Sequence, residues 1–167
     1  PVPNPSALFL AARSAGISGS AVTALMEGTR PVLVEVQALA APSGFGTPQR
    51  VATGLDQKRL AVLLAVLERR GGTAFTDLDV FVQVTGGLRL TEPASDLAVA
   101  AALVSSVLNR PSPPDAIFLG ELGLGGEIRP IGGLERRLVE ANRLGFHRVF
   151  VSGRTAGSVP GMTLVGL

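Results

Sequence analysis

Two rhythms of apolar and polar positions run along this chain. Gly19 to Met26 and Val32 to Leu39 are nearly continuous runs of small and β-branched apolar residues, joined by Glu27-Gly28-Thr29-Arg30-Pro31. Short apolar runs on either side of a turn-forming segment read as an antiparallel hairpin. Pro42, Gly44, Gly46 and Pro48 then break the pattern, so residues 41–53 read as a loop. Asp56 follows at a capping position and predicts a helix running to about Arg70. Its centre, LAVLLAVL, is apolar all round, which predicts burial on most sides rather than an amphipathic surface helix.

Gly71-Gly72 stop that helix, and Leu78 to Val84 reads as a strand that Gly86-Gly87 turn towards a second apolar helix, Ser95 to Leu108. Ala116 to Gly120 reads as a short strand, GELGLGGEIRPIGG as a glycine-rich loop or hairpin, and Glu135 to Leu144 as a third helix. Val149 to Val151 and Met162 to Val165 supply late strands. Helices and strands interleave after an antiparallel start, which predicts an α/β fold, a mixed-sheet two-layer sandwich. Residues 1–10, with three prolines among the first five, read as a linker from an upstream domain, and residues 11–167 as one domain.

Composition narrows the chemistry. Hydrophobic residues make up 46% and charged residues 17%, and fourteen arginines and Lys58 against 13 acidic residues leave a formal charge of only +2. Affinity for nucleic acid therefore depends on local clustering of cations rather than on total charge. The chain has no cysteine, which excludes disulfides and thiolate chemistry, and its one histidine, His147, has no companion ligands, so no metal is expected. Leu97 to Leu108, the longest apolar stretch, falls well below the ~18 residues of a membrane span. No signal-peptide pattern opens the sequence, so a cytoplasmic protein without membrane contact is expected. GLGGE lacks the lysine and serine or threonine of a Walker A loop and the full G-x-G-x-x-G pattern, so no nucleotide site is expected in this chain.

Three stretches, GSAVTALMEGTRPVLVEVQALA with FGTPQRVATGLDQKRLAVLLAVLERR, then GGLRLTEPASDLAVAAALVSS, then GELGLGGEIRPIGGLERRLVEANRLGF, together resemble the C-terminal domain of the RadA (Sms) family of bacterial DNA repair ATPases. The second and third also resemble, more distantly, the Lon peptidase domain, which implies its fold, one shared with a domain of a small-subunit ribosomal protein. In the Lon pattern a serine nucleophile follows a proline and a lysine sits three residues after the leucine of PIGGL. Here those places hold Ala94 and Arg137. A methyl group cannot attack a carbonyl, and a permanently charged guanidinium cannot accept a proton, so no catalytic residue is expected. Ser95 lies one residue beyond the nucleophile position, rotated by roughly 100° along a helix start, and reads as the N-cap of the helix beginning at Asp96. A peptidase with a displaced Ser95 and Lys58 pair is the competing reading.

The same resemblance implies a hexameric ring that drives branch migration in recombinational repair, with DNA, single-stranded or branched and read without sequence specificity, and a recombinase filament as partners. A domain that only holds the ring together, without touching DNA, is a further alternative. ATP with magnesium, and zinc, belong to the family's upstream domains. Arg50, Lys58, Arg59 and Arg89 are the candidate DNA contacts. Lys58 and Arg59 sit in the first turn of a helix, where cations are disfavoured by roughly a few tenths of a kcal/mol unless an anion binds there. Arg89 has an ion pair with Glu92 as its competing role. On the third helix Leu134, Leu138 and Ala141 share one face and Arg136, Glu140 and Arg143 the other, with Arg136 and Glu140 spaced to pair. Arg137 falls at the edge of the apolar face, with Glu140 or Asp96 as expected partners, and His147 reads as a surface or packing residue.

Overall fold

The structure is a computed structural model that describes Phe9, Arg13, residues 16–155 and residues 160–167. It is an α/β molecule with mixed sheets. Strand β1 (Ser20–Glu27) and strand β2 (Arg30–Pro42) form the expected hairpin, in register from Ser20 opposite Gln37 to Glu27 opposite Arg30. Both faces of this ribbon are covered. Ala21, Leu25, Val32, Val34 and Val36 enter one apolar cluster, and Val22, Ala24 and Leu33 another. Burial on two sides is why both strands read as continuous apolar runs rather than alternating ones.

Strand β4 (Leu78–Val84) pairs antiparallel with β2, and strand β3 (Arg50–Thr53) pairs parallel with β4, giving the order β1-β2-β4-β3. Thus β3 and the end of β2 lie inside the stretch that the sequence presents as a loop. Tertiary partners supply what local pattern does not. The Asp79 carboxylate accepts from Gln49 N at 2.7 Å, while the Gln57 side-chain amide accepts from Ala52 N at 3.0 Å and donates to Arg50 O. Gln57 thereby satisfies the outer edge of β3 as a neighbouring strand would.

Helices α1 (Gln57–Arg69) and α2 (Asp96–Leu108) fill one face of this sheet, α2 lying across β1 and β2. Asp56 caps α1 as expected, accepting from Lys58 N at 3.3 Å. The expected burial of α1 on most sides is corrected: Leu60, Leu63, Leu64, Val66 and Leu67 are buried, whereas Ala61, Ala65 and Glu68 are exposed. Alanine is apolar in composition but costs little at a water-facing position, so an all-apolar string still forms a two-faced helix. Ser95 is also corrected. It closes a 3₁₀ turn, Pro93–Ser95, and its hydroxyl donates backwards to Glu92 O at 2.8 Å instead of capping α2.

The second layer holds the all-parallel sheet of strands β5 (Ala116–Phe118), β8 (Arg148–Val151) and β9 (Thr163–Gly166), in the order β5-β8-β9. Helix α3 (Leu134–Arg143) packs with it through Leu138 and Ala141. The glycine-rich segment is a hairpin of strands β6 (Glu121–Leu122) and β7 (Ile128–Arg129), whose turn is closed by Gly123 N donating to Glu127 O at 2.9 Å. Phe9, within the stretch read as linker, packs against Phe146 at 6.2 Å between ring centres, and the Arg13 guanidinium lies 4.7 Å over the same ring. Burial lowers the pKa of Arg13, partly opposed by Glu35 and Asp115. Among the described residues no helix is long and apolar enough to cross a membrane.

Candidate functional site

The turn at residues 92–96 is held from two directions. Gly120 N donates to Ala94 O at 2.9 Å, and Leu97 N donates to Gly120 O at 3.1 Å, so the start of α2 is clamped to the strand end at Gly120. A side chain at residue 120 would place its Cβ 2.8 Å from the Ile128 methyl, which explains the glycine there. On the far side, Gly133 adopts φ 68° immediately before α3, a conformation that favours glycine. Its carbonyl accepts the first helical bond, from Arg137 N.

These two devices bring Ala94 and Arg137 onto one cleft of about 400 Å³, which Met26, Glu92, Glu121 and Ile131 also line. Arg137 is turned inward, its side chain 5% exposed, and pairs with Glu92 through Nη1–Oε1 at 2.5 Å and Nη2–Oε2 at 3.1 Å. Its remaining donors meet Ala24 O at 2.6 Å and Gly132 O at 3.2 Å, and Glu92 Oε1 also accepts from Met26 N at 3.1 Å. The expected partners of Arg137, Glu140 and Asp96, are therefore corrected to Glu92. Glu140 binds Arg143 at 2.6 Å, and Arg136 donates to Thr29 O at 3.4 Å. Glu92 was legible only as a partner for Arg89; it lies 45 residues before Arg137, and no local spacing links them.

A second cleft of about 290 Å³ opens on the other side of the same turn, lined by Asp56, Arg59, Arg89, Glu92, Ser95 and Asp96 among others. Arg59 spans it as an anchor. Its Nε donates to Asp96 Oδ1 at 3.0 Å, its Nη2 pairs with Asp96 Oδ2, and Nη2 also donates to Leu122 O at 3.1 Å. The Asp96 hydrogen bond raises the pKa of Arg59, outweighing desolvation. Asp96, 2% exposed, also accepts from Leu122 N at 3.1 Å. The node joins α1, α2 and β6.

Of the four cations singled out from sequence, Arg59 and Arg89 line this cleft, and Lys58 stands exposed on α1. Among the described residues Arg89 makes no ion pair, since Glu92 faces Arg137. Arg50 lies apart on β3, its guanidinium folded against Leu78 O and, at 2.8 Å, Phe75 O. Ser95 is 2% exposed, with its hydroxyl committed to Glu92 O, and Lys58 does not line the cleft that Ser95 borders. His147 is exposed and its Nδ1 lies 3.0 Å from Asn142 Oδ1.

A family model described as "Subunit ChlI of Mg-chelatase" matches residues 49–155. Proteins named DNA repair protein RadA are similar over nearly the whole chain. That of Escherichia coli is 49% identical over 99% of this chain and 36% of its own length; that of Halalkalibacterium halodurans is 49% identical over 93% and 34%; and that of Haemophilus influenzae is 53% identical over 90% and 33%. The chain spans about a third of the length of these curated relatives. It belongs to the family that the ChlI model describes, and within it to the RadA line of DNA repair proteins.

Proposed function

We propose that this chain is a non-proteolytic scaffold and DNA-lining domain of a RadA-type ATPase, working as a hexameric ring that drives branch migration in recombinational repair. The single observation that carries the non-proteolytic part is the Arg137–Glu92 pair beside Ala94. A peptidase of the Lon type needs a hydroxyl at residue 94 and, at residue 137, an amine able to lose its proton. A buried guanidinium fixed by a carboxylate supplies neither, and it occupies the space where a general base would act. The displaced pair of Ser95 and Lys58 has little support, because the Ser95 hydroxyl is buried and already donates to Glu92 O.

For DNA contact, Lys58 and Arg89 are the two of these four cations whose side chains meet no partner among the described residues; Arg89 lines the cleft and Lys58 stands exposed on α1. Arg59 shapes that surface through its bonds to Asp96 and Leu122 O and leaves 31% of its side chain open, whereas Arg50 lies apart on β3 with its guanidinium on backbone carbonyls. Such an array suits phosphate rather than bases, so single-stranded or branched DNA of any sequence is the proposed partner. Interaction with a recombinase filament, cytoplasmic location, and ATP, magnesium and zinc in further domains complete the reading by family. The test is hydrolysis of casein and fluorogenic peptides by the chain and by its A94S/R137K variant. No turnover is expected from either, because an oxyanion site and substrate groove are needed as well. Turnover that vanishes in Ser95→Ala overturns the reading.

A further inference from the structure

The open half of the four-stranded sheet carries an unpartnered apolar hollow. Along its outer face Leu39 stands opposite Phe81, and Phe81 opposite Val51, and together with Ile17 they border a cavity of about 420 Å³. All four are exposed, Ile17 by 60%, Leu39 by 57%, Val51 by 42% and Phe81 by 37%. The rest of the lining is small or neutral and polar. Gln37 and Gln83 hydrogen-bond each other at 2.8 Å, and among the described residues no charged side chain lines the hollow. An apolar centre with a neutral polar rim and no ions has the composition of a protein contact rather than of a nucleic-acid surface.

The same molecule presents a matching knob. Residues 43–49, SGFGTPQ, connect β2 to β3 and carry no charge. At their centre the Phe45 ring is fully exposed, and nothing lies within 4 Å of a Cβ built at Gly44 or Gly46, so the loop stands clear of its own domain. Knob and hollow are therefore not joined within one copy. We infer that the hollow receives Phe45 from a second copy of this chain. Joining two uncharged surfaces desolvates no ion, and a cavity of this size admits a phenyl ring with room for its flanking glycines. A knob on one site and a hole on another makes a head-to-tail contact, which yields a ring where the rotation between neighbours closes and a filament where it does not. A standard interface takes about 800 Å² from each partner, about a tenth of the 8633 Å² surface of the chain. This inference rests on the ring reading above and adds the surface through which neighbours meet.

The absence of native cysteine makes a direct test possible. F45C and L39C variants are purified separately, mixed, and oxidised mildly, so any mixed disulfide joins two molecules. The mixed product is expected to dominate over either self-linked product, and Phe45→Ala is expected to weaken concentration-dependent association in light scattering by about tenfold or more. Because the Phe45 ring is fully exposed in its own copy, the melting temperature of dilute Phe45→Ala should equal that of the parent, which excludes misfolding as the cause. Assembly with no mixed link, a Phe45→Ala variant that assembles like the parent, or a chain monomeric at every concentration overturns the inference. If the link forms but DNA binding is unchanged in a Lys58→Ala/Arg89→Ala variant, the DNA reading fails and this interface stands.

Discussion

A guanidinium that is only 5% exposed needs a fixed counter-charge, and Arg137 has Glu92, two carbonyl acceptors and a glycine-led helix start to hold it. Removing it leaves a carboxylate that is itself only 27% exposed and strips Ala24 O of its donor. Arg137→Ala is therefore expected to destabilise the domain by about 3 kcal/mol, read as a lowered urea midpoint at unchanged slope. Thr23 makes the opposite case. Its hydroxyl is fully buried within the sheet and has no partner among the described residues. Thr23→Val keeps the shape and removes the unsatisfied group, so a gain of about 1 kcal/mol is expected in the same measurement. At this scale the sequence marked Arg137 as unusual, because helical spacing put a cation at the border of an apolar face. Its partner was not legible, since the pairing is made by a turn and a helix far apart in the chain. Thr23 was invisible for a related reason: threonine is a normal strand residue until packing covers its face, here the one it shares with Ala21 and Leu25.

Between elements, the junction from α1 into β4 depends on one exposed carboxylate. Glu68 Oε1 accepts from Phe75 N at 2.7 Å and from the Thr76 hydroxyl at 2.8 Å, and these bonds, the Phe75 one first, hold its pKa below the ordinary carboxylate value. The sign follows from linkage. A carboxyl group more acidic in the folded chain adds stability above its unfolded pKa of about 4.3, and that stability is lost as pH falls through the folded value. Glu68→Gln should accordingly lose less stability than the parent between about pH 5 and pH 3, measured by thermal melts across that range; equal losses would refute the role. Elements with strong apolar patterns were legible with nearly their observed bounds, as in β1, β4, α2 and α3. The 3₁₀ turn before α2 and the strand β3 were not. Both depend on distant groups, Gly120 for the turn and Asp79 with Gln57 for the strand.

For the whole molecule, interleaved apolar helices and strands announced an α/β sandwich. Covering layers on both sides of the β1–β2 hairpin account for its unbroken apolar runs, and the open end of the sheet explains why Leu39 and Phe81 continue that pattern into solvent. The cation set was legible as residue types but not as roles. Two of the four arginine and lysine positions, Arg50 and Arg59, turned out to be tied to the chain itself. That division gives the DNA reading a sharp test in the assembled full-length protein. Cations that neutralise phosphates release counterions, so log affinity should fall linearly with log salt, and removing one phosphate-binding cation should flatten the slope by about 0.7 to 0.9. Lys58→Ala/Arg89→Ala removes from each engaged subunit the two of these four cations that have no partner among the described residues, and leaves every internal bond described above in place; it should flatten the slope by about 1.4 to 1.8 for one engaged subunit, with melting temperature unchanged. Arg59→Ala should do the reverse, lowering the melting temperature by stranding the buried Asp96 carboxylate while altering the slope little. Fluorescence anisotropy with single- and double-stranded oligonucleotides at several salt concentrations reads the first quantity, and calorimetry the second. If Lys58→Ala/Arg89→Ala leaves both affinity and slope unchanged, DNA contact belongs to other parts of the protein and this domain serves assembly alone.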